Sequence, residues 1–436
     1  MTERDPASPH DVVPPGGAGR ERQNRIYRDG VSGLVPNIPT DPQTLEKAAA
    51  DALPEKAFAY LAGGAGSEAT MRANRAAFES WSIVPRVLRN VAERDLSTEI
   101  FGRRLPAPLA LAPIGVLELA HEEADLAVAR AAAATGVPFI FSNQASVPME
   151  DTADVMGDAP RWFQLYWSTN DDLVASFVER AEKCGADAIA VTLDTTMLGW
   201  RPRDLNLGSL PFSQGQGIAQ YTSDPVFARM VKQRIVSERV GKPDVKITRS
   251  TVKTLINMTH HYPGKFLPNL LSAQPRTAVE TFLETYSRPS LTWDDIAKLR
   301  EMTKLPILLK GVLHPDDARQ AADLGVDGIV VSNHGGRQVD GSVASLAALP
   351  DVAEAAGGLT VVFDSGIRTG ADIFKALALG ADLVLIGRPY VWGLALEGER
   401  GVEDVIRNLI AEFDLTVGLS GLRSVEQITT DALREK

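Results

Sequence analysis

The residues with the most evident chemistry in this 436-residue sequence lie in GVDGIVVSNHGGRQVDG, at positions 325–341. An apolar run of strand composition, 328–331, leads directly into Ser332, His334 and Arg337. A histidine with a near-neutral pKa can accept a proton, and the glycines behind it let the backbone approach a ligand closely. A polar turn would explain this segment taken alone, so the elements around it must decide between the two interpretations.

Short apolar runs alternate with helix-like segments from residue 108 onward, which is typical of a parallel sheet built from βαβ units. The predicted strands are 109–112, 138–141, 162–165, 188–193, 307–309, 328–331, 360–363 and 383–386. Three of them share a weak internal repeat, seen in GADAIAVTLD, GVDGIVVSNH and GADLVLIGRP. Eight such units close most economically as an α/β fold of the (β/α)8 TIM barrel type, with a doubly wound open sheet as the alternative.

The segments outside these strands predict the organisation of the chain. Residues 1–24 are rich in Pro, Gly and charge, and predict a disordered tail before a single domain over 25–436. That domain begins with an N-terminal helical cap. The long interval after the fourth strand, about 195–290, has no barrel strand, and we expect it to be a lid insertion over the active face. Its adjacent His260 and His261 lack the spacing of a helical metal pair, and we predict no metal site.

Composition excludes several classes of protein. A formal net charge of -11 without clustered Lys and Arg argues against nucleic acid as a partner. The single cysteine, Cys184, excludes intrachain disulfides. No apolar run reaches the roughly 18 to 20 residues of a membrane span, and the N-terminus lacks an apolar signal core. We therefore expect a cytoplasmic protein with no membrane partner.

Polar and flexible residues follow nearly every predicted strand. The C-terminal ends of barrel strands converge on one mouth, so these residues should meet there. In strand order they are Pro113, Ile114 and Gly115; Ser142; Gln164 and Tyr166; Thr192, Asp194 and Arg201; Lys310; Ser332, His334 and Arg337; Asp364, Gly366 and Arg368; Gly387 and Arg388. A purely structural barrel would not need such a mouth.

The last two strand ends suggest a phosphate site. Gly366 and Gly387 expose backbone N–H donors, and Arg368 and Arg388 add positive charge where this fold commonly binds phosphate. A flavin would explain both this site and Lys310, which would stabilise negative charge on the reduced ring. We expect the flavin to be held by Pro113, Ile114, Gly115, Ser142, Gln164, Thr192, Lys310, Ser332, Asp364, Gly366, Arg368, Gly387 and Arg388.

The remaining polar residues indicate the chemical class of the substrate. Arg337 and Arg201 could clamp a carboxylate, while His334 takes a proton from the neighbouring carbon or its hydroxyl group. A 2-hydroxy acid has these features. Asp194 is placed to hold the protonated imidazole, as a carboxylate does for other catalytic histidines.

At this point the motifs SNHGGRQ, FQLY, TLDT, LKG, DSGIRTG and IGRPY resemble those of the FMN-dependent 2-hydroxy acid oxidases and dehydrogenases. The resemblance extends from about residue 26 to the C-terminus. It implies a (β/α)8 barrel, FMN as the cofactor and a homotetramer or homo-octamer. It also implies that His334 is the base with Asp194 as its partner, that Arg337 and Arg201 bind the substrate carboxylate, that Tyr60 and Tyr166 contact the substrate, and that Lys310, Gln164, Ser142 and Thr192 contact the flavin.

Within this family, YLAGGAGSE, LGWRPRDL and TSDPVF are similar to segments of the lactate 2-monooxygenase branch. That similarity implies oxidation of L-lactate by O2 to acetate, carbon dioxide and water. A simple oxidase would instead release the 2-oxo acid and hydrogen peroxide. Gly115 stands where many oxidases carry alanine, and we interpret the missing methyl group as extra space beside the flavin.

Three questions stay open at the level of the sequence. Asn143, Gln144, Thr196 and Met197 differ from the residues common in lactate-specific members, so the carbon skeleton of the substrate is undetermined. Electrons could reach FMN as a hydride or through a carbanion. A flavin-binding or phosphate-binding barrel without turnover is the alternative of another class, and the intact set of histidine, aspartate and two arginines argues against it.

Overall fold

The computed structural model describes residues 17–237 and 246–436 and contains a closed barrel of parallel strands. The strands are β1 (Trp81–Ile83), β2 (Thr98–Ile100), β3 (Arg103–Leu105), β4 (Leu109–Leu111), β5 (Phe139–Phe141), β6 (Arg161–Leu165), β7 (Ala188–Thr192), β8 (Ile307–Val312), β9 (Gly328–Val331), β10 (Thr360–Phe363), β11 (Leu383–Ile386) and β12 (Leu433–Glu435). Strands β4 to β11 follow one another around the barrel in chain order, and β11 pairs with β4 to close it. This confirms the predicted (β/α)8 barrel and excludes the open sheet.

Helices surround this barrel. They are α1 (Ala18–Val31), α2 (Pro42–Ala52), α3 (Glu55–Ala62), α4 (Ala69–Glu79), α5 (Ala124–Thr135), α6 (Met149–Met156), α7 (Asp171–Lys183), α8 (Pro202–Asn206), α9 (Ala219–Thr222), α10 (Pro225–Ser237), α11 (Arg249–His261), α12 (Phe266–Leu270), α13 (Gln274–Thr285), α14 (Trp293–Met302), α15 (Pro315–Asp323), α16 (Ser345–Ala355), α17 (Gly370–Ala378) and α18 (Arg388–Leu419). Among these, α3 and α4 lie on either side of a glycine-rich turn and belong to the predicted N-terminal helical cap.

The barrel strands read as continuous apolar runs because both of their faces are buried. The barrel interior is filled by side chains such as Ile140, Trp162 and Leu308, which form a core separate from the one under the helices. The β2–β3 hairpin closes the N-terminal end, where the Phe101 ring lies 5.5 Å from that of Trp162. The C-terminal end is left open for ligands.

Two predictions about element boundaries need correction. Part of the predicted tail, residues 18–24, forms the start of α1, because the Gly19 N–H donates to Asp414 at 2.8 Å and Arg22 pairs with Asp404 at 2.8 Å. Residues 1–16 of that tail lie outside the described residues. Lys310, expected after its strand, lies within β8, which continues past a β-bulge to Val312.

The excursion after β7 is helical where the structure describes it, from α8 to α13. Its helices pack around an aromatic cluster in which the Tyr221 and Phe282 rings lie 4.8 Å apart. Its α11 is tied to the barrel by an ion pair of 2.6 Å between His261 and Glu118. Within 17–237 and 246–436, no helix is both long and apolar enough to cross a membrane.

Candidate active site

One large cleft, of about 1050 Å³ including its open mouth, lies at the C-terminal end of the barrel. Most of the predicted site residues line it, namely Tyr60, Pro113, Ile114, Gly115, Ser142, Gln164, Tyr166, Arg201, Lys310, His334, Arg337, Asp364, Gly366, Arg368, Gly387 and Arg388. The other three, Thr192, Asp194 and Ser332, are not among the lining residues and bond to side chains that are. The fold therefore brings the whole predicted set together.

The turn after β9 aims His334 into this cleft. His334 adopts a left-handed backbone conformation, with φ of 58°, that is uncommon for a residue with a side chain. Its N–H donates to the Ser332 hydroxyl at 3.0 Å, which holds the turn. A glycine is required at Gly336, because a Cβ there would lie 2.7 Å from Met71 Cγ. Backbone strain and close packing thus hold the turn that places His334 at the cleft.

Asp194 orients the imidazole of His334. Its Oδ1 lies 2.7 Å from His334 Nδ1, and the Thr195 hydroxyl donates to the same oxygen at 2.9 Å. Because Nδ1 is engaged by the carboxylate, Nε2 is left to act on a ligand. His334 and Asp194 thus have the geometry of a general base and the carboxylate that orients it.

The electrostatics of this pair suit proton abstraction near neutral pH. Burial lowers the pKa of the His334 imidazole, with Lys310 and Arg201 acting in the same direction and Asp194 opposing them. Burial alone would raise the pKa of Asp194, but the charges of His334 and Lys310 and the hydrogen bonds to the carboxylate lower it to about 2. The imidazole is therefore neutral and the carboxylate ionised at pH 7.

Two arginines beside His334 form a site for an anion. Arg201 donates to the Gln338 side chain at 3.1 Å, and Arg337 donates to the carbonyls of Tyr60 and Gly63, both at 2.7 Å. Neither arginine has a carboxylate partner within the described ranges. Burial lowers the pKa of Arg337 to about 10, and the positive charge of Arg201 acts in the same direction. A bound carboxylate would relieve that repulsion.

A second cationic site lies at the ends of β10 and β11. Arg388 donates to the carbonyls of Gly335 and Gly63, both at 3.1 Å, while its Nε is buried with no hydrogen-bond partner among the described residues. Burial, Arg337 and Arg368 lower the pKa of Arg388 well below its usual value. Arg368 likewise has no carboxylate partner in the described part of the chain. An orphaned donor and two unpaired guanidinium groups fit a phosphate.

Lys310 connects the two sites. The residue is 4% exposed, and its ammonium group lies 3.2 Å from Asp364 and donates to the Ser332 hydroxyl at 2.8 Å. Burial alone would lower the pKa of Lys310, but Asp364 and Asp194 raise it above its usual value, so the cation persists. Such a cation, between a phosphate site and a base, fits the electron-accepting ring of FMN.

Hydrogen bonds also connect the residues at the ends of β5, β6 and β7, next to Lys310 on β8. The Gln164 amide donates to the Thr192 hydroxyl at 2.9 Å and accepts from the Ser142 hydroxyl at 3.2 Å. Thr192 thus supports the lining residue Gln164 by a hydrogen bond, and Ser332 supports the lining residue Lys310 in the same way. Direct contact of Thr192 and Ser332 with a cofactor stays a prediction, whereas their support of lining residues is a feature of the structure.

Sequence reasoning missed several residues of the cleft. Gln338 holds Arg201 and also donates to the Asp194 carbonyl at 2.9 Å. It belongs to the SNHGGRQ motif, so the motif could have revealed it. Leu198 also lines the cleft, and it begins the LGWRPRDL segment, which could have revealed it. Phe212 and Tyr286 line the cleft from later in the segment after β7, where no periodicity or motif marks them. Nothing in the described ranges forms a cluster suited to a metal ion.

Comparison with known proteins agrees with this geometry. The family described as FMN-dependent dehydrogenase matches residues 49–435. An FMN-dependent alpha-hydroxy acid dehydrogenase of Penicillium citrinum is 41% identical over 94% of this chain and 95% of its own. An L-lactate oxidase of Lysinibacillus sphaericus is 41% identical over 89% of this chain and 91% of its own.

Comparison with solved structures indicates the same family. A mandelate oxidase in complex with (S)-4-hydroxymandelic acid aligns with a TM-score of 0.74 and 36% identity, over 91% of this chain and 99% of its own. The expected family, fold and cofactor are thereby confirmed. With its base, its two arginine sites and its buried lysine in one cleft, the chain belongs to the FMN-dependent dehydrogenase family and is an FMN-dependent oxidoreductase of 2-hydroxy acids.

Proposed function

We propose that the enzyme oxidises a small L-2-hydroxy acid, with L-lactate as the first candidate, and that O2 is the terminal electron acceptor. The observation that supports this proposal best is the 2.7 Å contact between His334 and Asp194, next to two arginines that have no carboxylate partner in the described ranges. A base beside a carboxylate site matches the C2 position of a 2-hydroxy acid.

In this mechanism Arg201 and Arg337 bind the substrate carboxylate, and the buried Tyr60 and Tyr166 line the same pocket. His334 Nε2 takes a proton from the substrate, and the ionised Asp194 stabilises the imidazolium that forms. FMN supplies the acceptor for the two electrons. Lys310, held positive by Asp364, stabilises the negative charge that develops on the acceptor.

We further propose that the 2-oxo product stays in the cleft, where hydrogen peroxide formed by reduction of O2 oxidises it. The bond between C1 and C2 breaks and carbon dioxide leaves, so that lactate and O2 yield acetate, carbon dioxide and water. The excursion supports retention because its Phe212 and Tyr286 form part of the cleft wall. A simple oxidase is the second candidate, favoured by the similarity to L-lactate oxidase. It would release pyruvate and hydrogen peroxide instead.

Product analysis after aerobic turnover of L-lactate separates the two. Acetate without peroxide supports the monooxygenase, and pyruvate with an equal amount of peroxide supports the oxidase. Bleaching of the flavin absorbance by L-lactate under argon tests the step they share. If L-lactate and other small L-2-hydroxy acids all leave the flavin oxidised, the proposed function is wrong.

A homotetramer in the cytoplasm completes the proposal. Apolar side chains that are exposed in the single chain, such as Val87 at 82% and Trp200 at 73%, support an assembly that covers them. Cys184 is the one cysteine of the sequence, which rules out an intrachain disulfide and suits a reducing compartment. Light scattering of the purified protein measures its oligomeric state, and fractionation of cells measures its compartment.

A further inference from the structure

Part of the cleft wall serves neither the cofactor nor the substrate carboxylate in this mechanism. It consists of Gln144 from the loop after β5, Leu198 from the loop after β7, and Phe212 and Tyr286 from the excursion. We name these four residues the side-chain wall. A 2-hydroxy acid held by its carboxylate and its C2 atom must direct its remaining substituent at some part of the cleft, and this wall is unassigned.

Three contacts place the side-chain wall next to the substrate. The Phe212 ring meets the Tyr60 ring edge to face, with centroids 6.2 Å apart. A Cβ added to Gly217 would lie 3.2 Å from Phe212 Cε1 and 3.1 Å from the Gln144 carbonyl, so Phe212 and Gln144 flank the same point. Phe282 then links the wall's two aromatic residues, because its ring lies 5.2 Å from Phe212 and 5.1 Å from Tyr286.

Gln144 presents an unpaired carboxamide on this wall. The residue is 8% exposed, yet its side chain has no hydrogen-bond partner among residues 17–237 and 246–436. Its Oε1 lies 3.5 Å from the point that a Cβ on Gly115 would occupy, so the amide stands close to another lining residue. A carboxamide that lines the cleft and has no protein partner in these ranges is available to hydrogen-bond a ligand.

We propose that Gln144 binds a hydrogen-bonding group on C3 of the substrate, so that the preferred substrates are L-2-hydroxy acids with a polar side chain. The inference rests on the proposed function and specifies its substrate class. Phe212 and Leu198 contact the carbon atoms of that side chain, and Gln144 bonds its polar end. L-lactate, whose C3 is a methyl group, is then a substrate that leaves the carboxamide unpaired.

The test compares two acids of nearly equal size, L-glycerate with a hydroxymethyl group and L-2-hydroxybutanoate with an ethyl group. The FMN-loaded enzyme is expected to show a higher kcat/KM for L-glycerate, by roughly 3- to 10-fold for one neutral hydrogen bond. Gln144→Leu keeps the volume of the side chain and removes its polar atoms, and it is expected to abolish or reverse that ratio. Gln320→Leu, at an exposed position on α15, is the matched control and should leave the ratio unchanged.

A binding measurement separates this role from a merely structural one. Hydroxypyruvate and 2-oxobutanoate, the products of the two acids, are titrated into oxidised enzyme and followed by the change in flavin absorbance. The Gln144→Leu substitution should weaken the binding of hydroxypyruvate and leave the binding of 2-oxobutanoate unchanged. The dissociation constant of FMN should stay the same.

The outcomes are distinguishable. If no 2-hydroxy acid bleaches the flavin, the proposed function fails and the substrate class fails with it. If L-lactate bleaches the flavin but the ratio is the same in wild type and Gln144→Leu, the proposed function stands and the role of Gln144 is overturned. A weaker affinity for FMN with an unchanged ratio also overturns it, because the carboxamide then serves the cofactor.

Discussion

The second carboxylate oxygen of Asp194 lies 3.9 Å from the Lys310 ammonium group, so the residue that orients the base is itself held by the buried cation. That oxygen has no hydrogen-bond partner in the described part of the chain. The negative charge of Asp194 therefore depends on two neighbours, and removal of the charge should affect the base directly.

Replacement Asp194→Asn is expected to lower kcat/KM by about 10²- to 10⁴-fold, since the imidazole loses its orienting partner. In the wild type, burial lowers the pKa of His334 below 6.5, so the acid limb of the pH profile should lie below pH 6.5. The charge of Asp194 raises the pKa of His334 and so opposes the effect of burial. Without that charge the pKa of His334 should fall further, and the acid limb of the variant should move to still lower pH. An acid limb that moves up or stays fixed would contradict this assignment, and the flavin spectrum controls for folding.

Replacement Arg388→Met is expected to weaken FMN binding by about tenfold or more, because charge-assisted hydrogen bonds contribute roughly 1.5–3 kcal/mol each. Quenching of FMN fluorescence by the apoprotein measures the dissociation constant. Arg104→Met, at an exposed position on β3, is the control. If both variants bind FMN as tightly as the wild type, the phosphate does not lie at Arg388.

Replacement Gly115→Ala is expected to lower the free energy of unfolding by about 1–3 kcal/mol through overpacking. An added Cβ would lie 2.9 Å from Gln144 Cβ and 3.0 Å from the Gln144 carbonyl. The sequence suggested that the missing methyl group leaves extra space, but the structure fills that space with Gln144. Urea denaturation of Gly115→Ala with and without Gln144→Gly measures the coupling, and an alanine tolerated without loss would disprove the clash.

The ion pair between Glu118 and His261 should make the attachment of α11 depend on pH. The hydrogen bond to Glu118 raises the pKa of His261 above 6.5, and its stabilisation is therefore lost as pH rises through that higher value. Burial alone would raise the pKa of Glu118, but His261, Gln216 and Gly217 lower it below 4.5. Its stabilisation is lost as pH falls through that lower value.

Amide hydrogen exchange in α11 should accordingly be slowest between these two pKa values and faster at either side, after correction for the intrinsic effect of pH. Glu118→Gln removes the charged partner and should flatten the profile. An equally curved profile in the variant would show that other groups govern the excursion.

The barrel could be predicted from the sequence because each strand is buried on both faces and therefore forms a short apolar run. The gathering of the candidate site residues in one cleft could also be predicted, because the C-terminal ends of the strands converge. Two features could not be read in this way. Residues 18–24 look like a tail because their partners, Asp404 and Asp414, lie far along the chain. Lys310 looks like a loop residue because its two carboxylate partners, which make a buried lysine tolerable, come from other strands.

The side-chain wall escaped prediction for a related reason. Phe212 and Tyr286 reach the cleft only through the packing of the excursion's aromatic cluster, and no local pattern records that packing. Gln144 was visible as a departure from common members of the family. Only the structure shows that its amide lacks a partner in the described ranges and lies beside Phe212.

The carbonyl of Gly63 accepts hydrogen bonds from both Arg337 at 2.7 Å and Arg388 at 3.1 Å. One atom at the end of α3 thus positions the cation meant for the substrate and the cation meant for the cofactor's phosphate. A phosphate that moved Arg388 would change its hydrogen bond to the Gly63 carbonyl. That change would in turn alter the position of Arg337, which bonds to the same carbonyl. If Arg337 binds the substrate and Arg388 binds the phosphate, as proposed, we expect FMN loading and substrate affinity to be reciprocally coupled through this contact with the N-terminal cap.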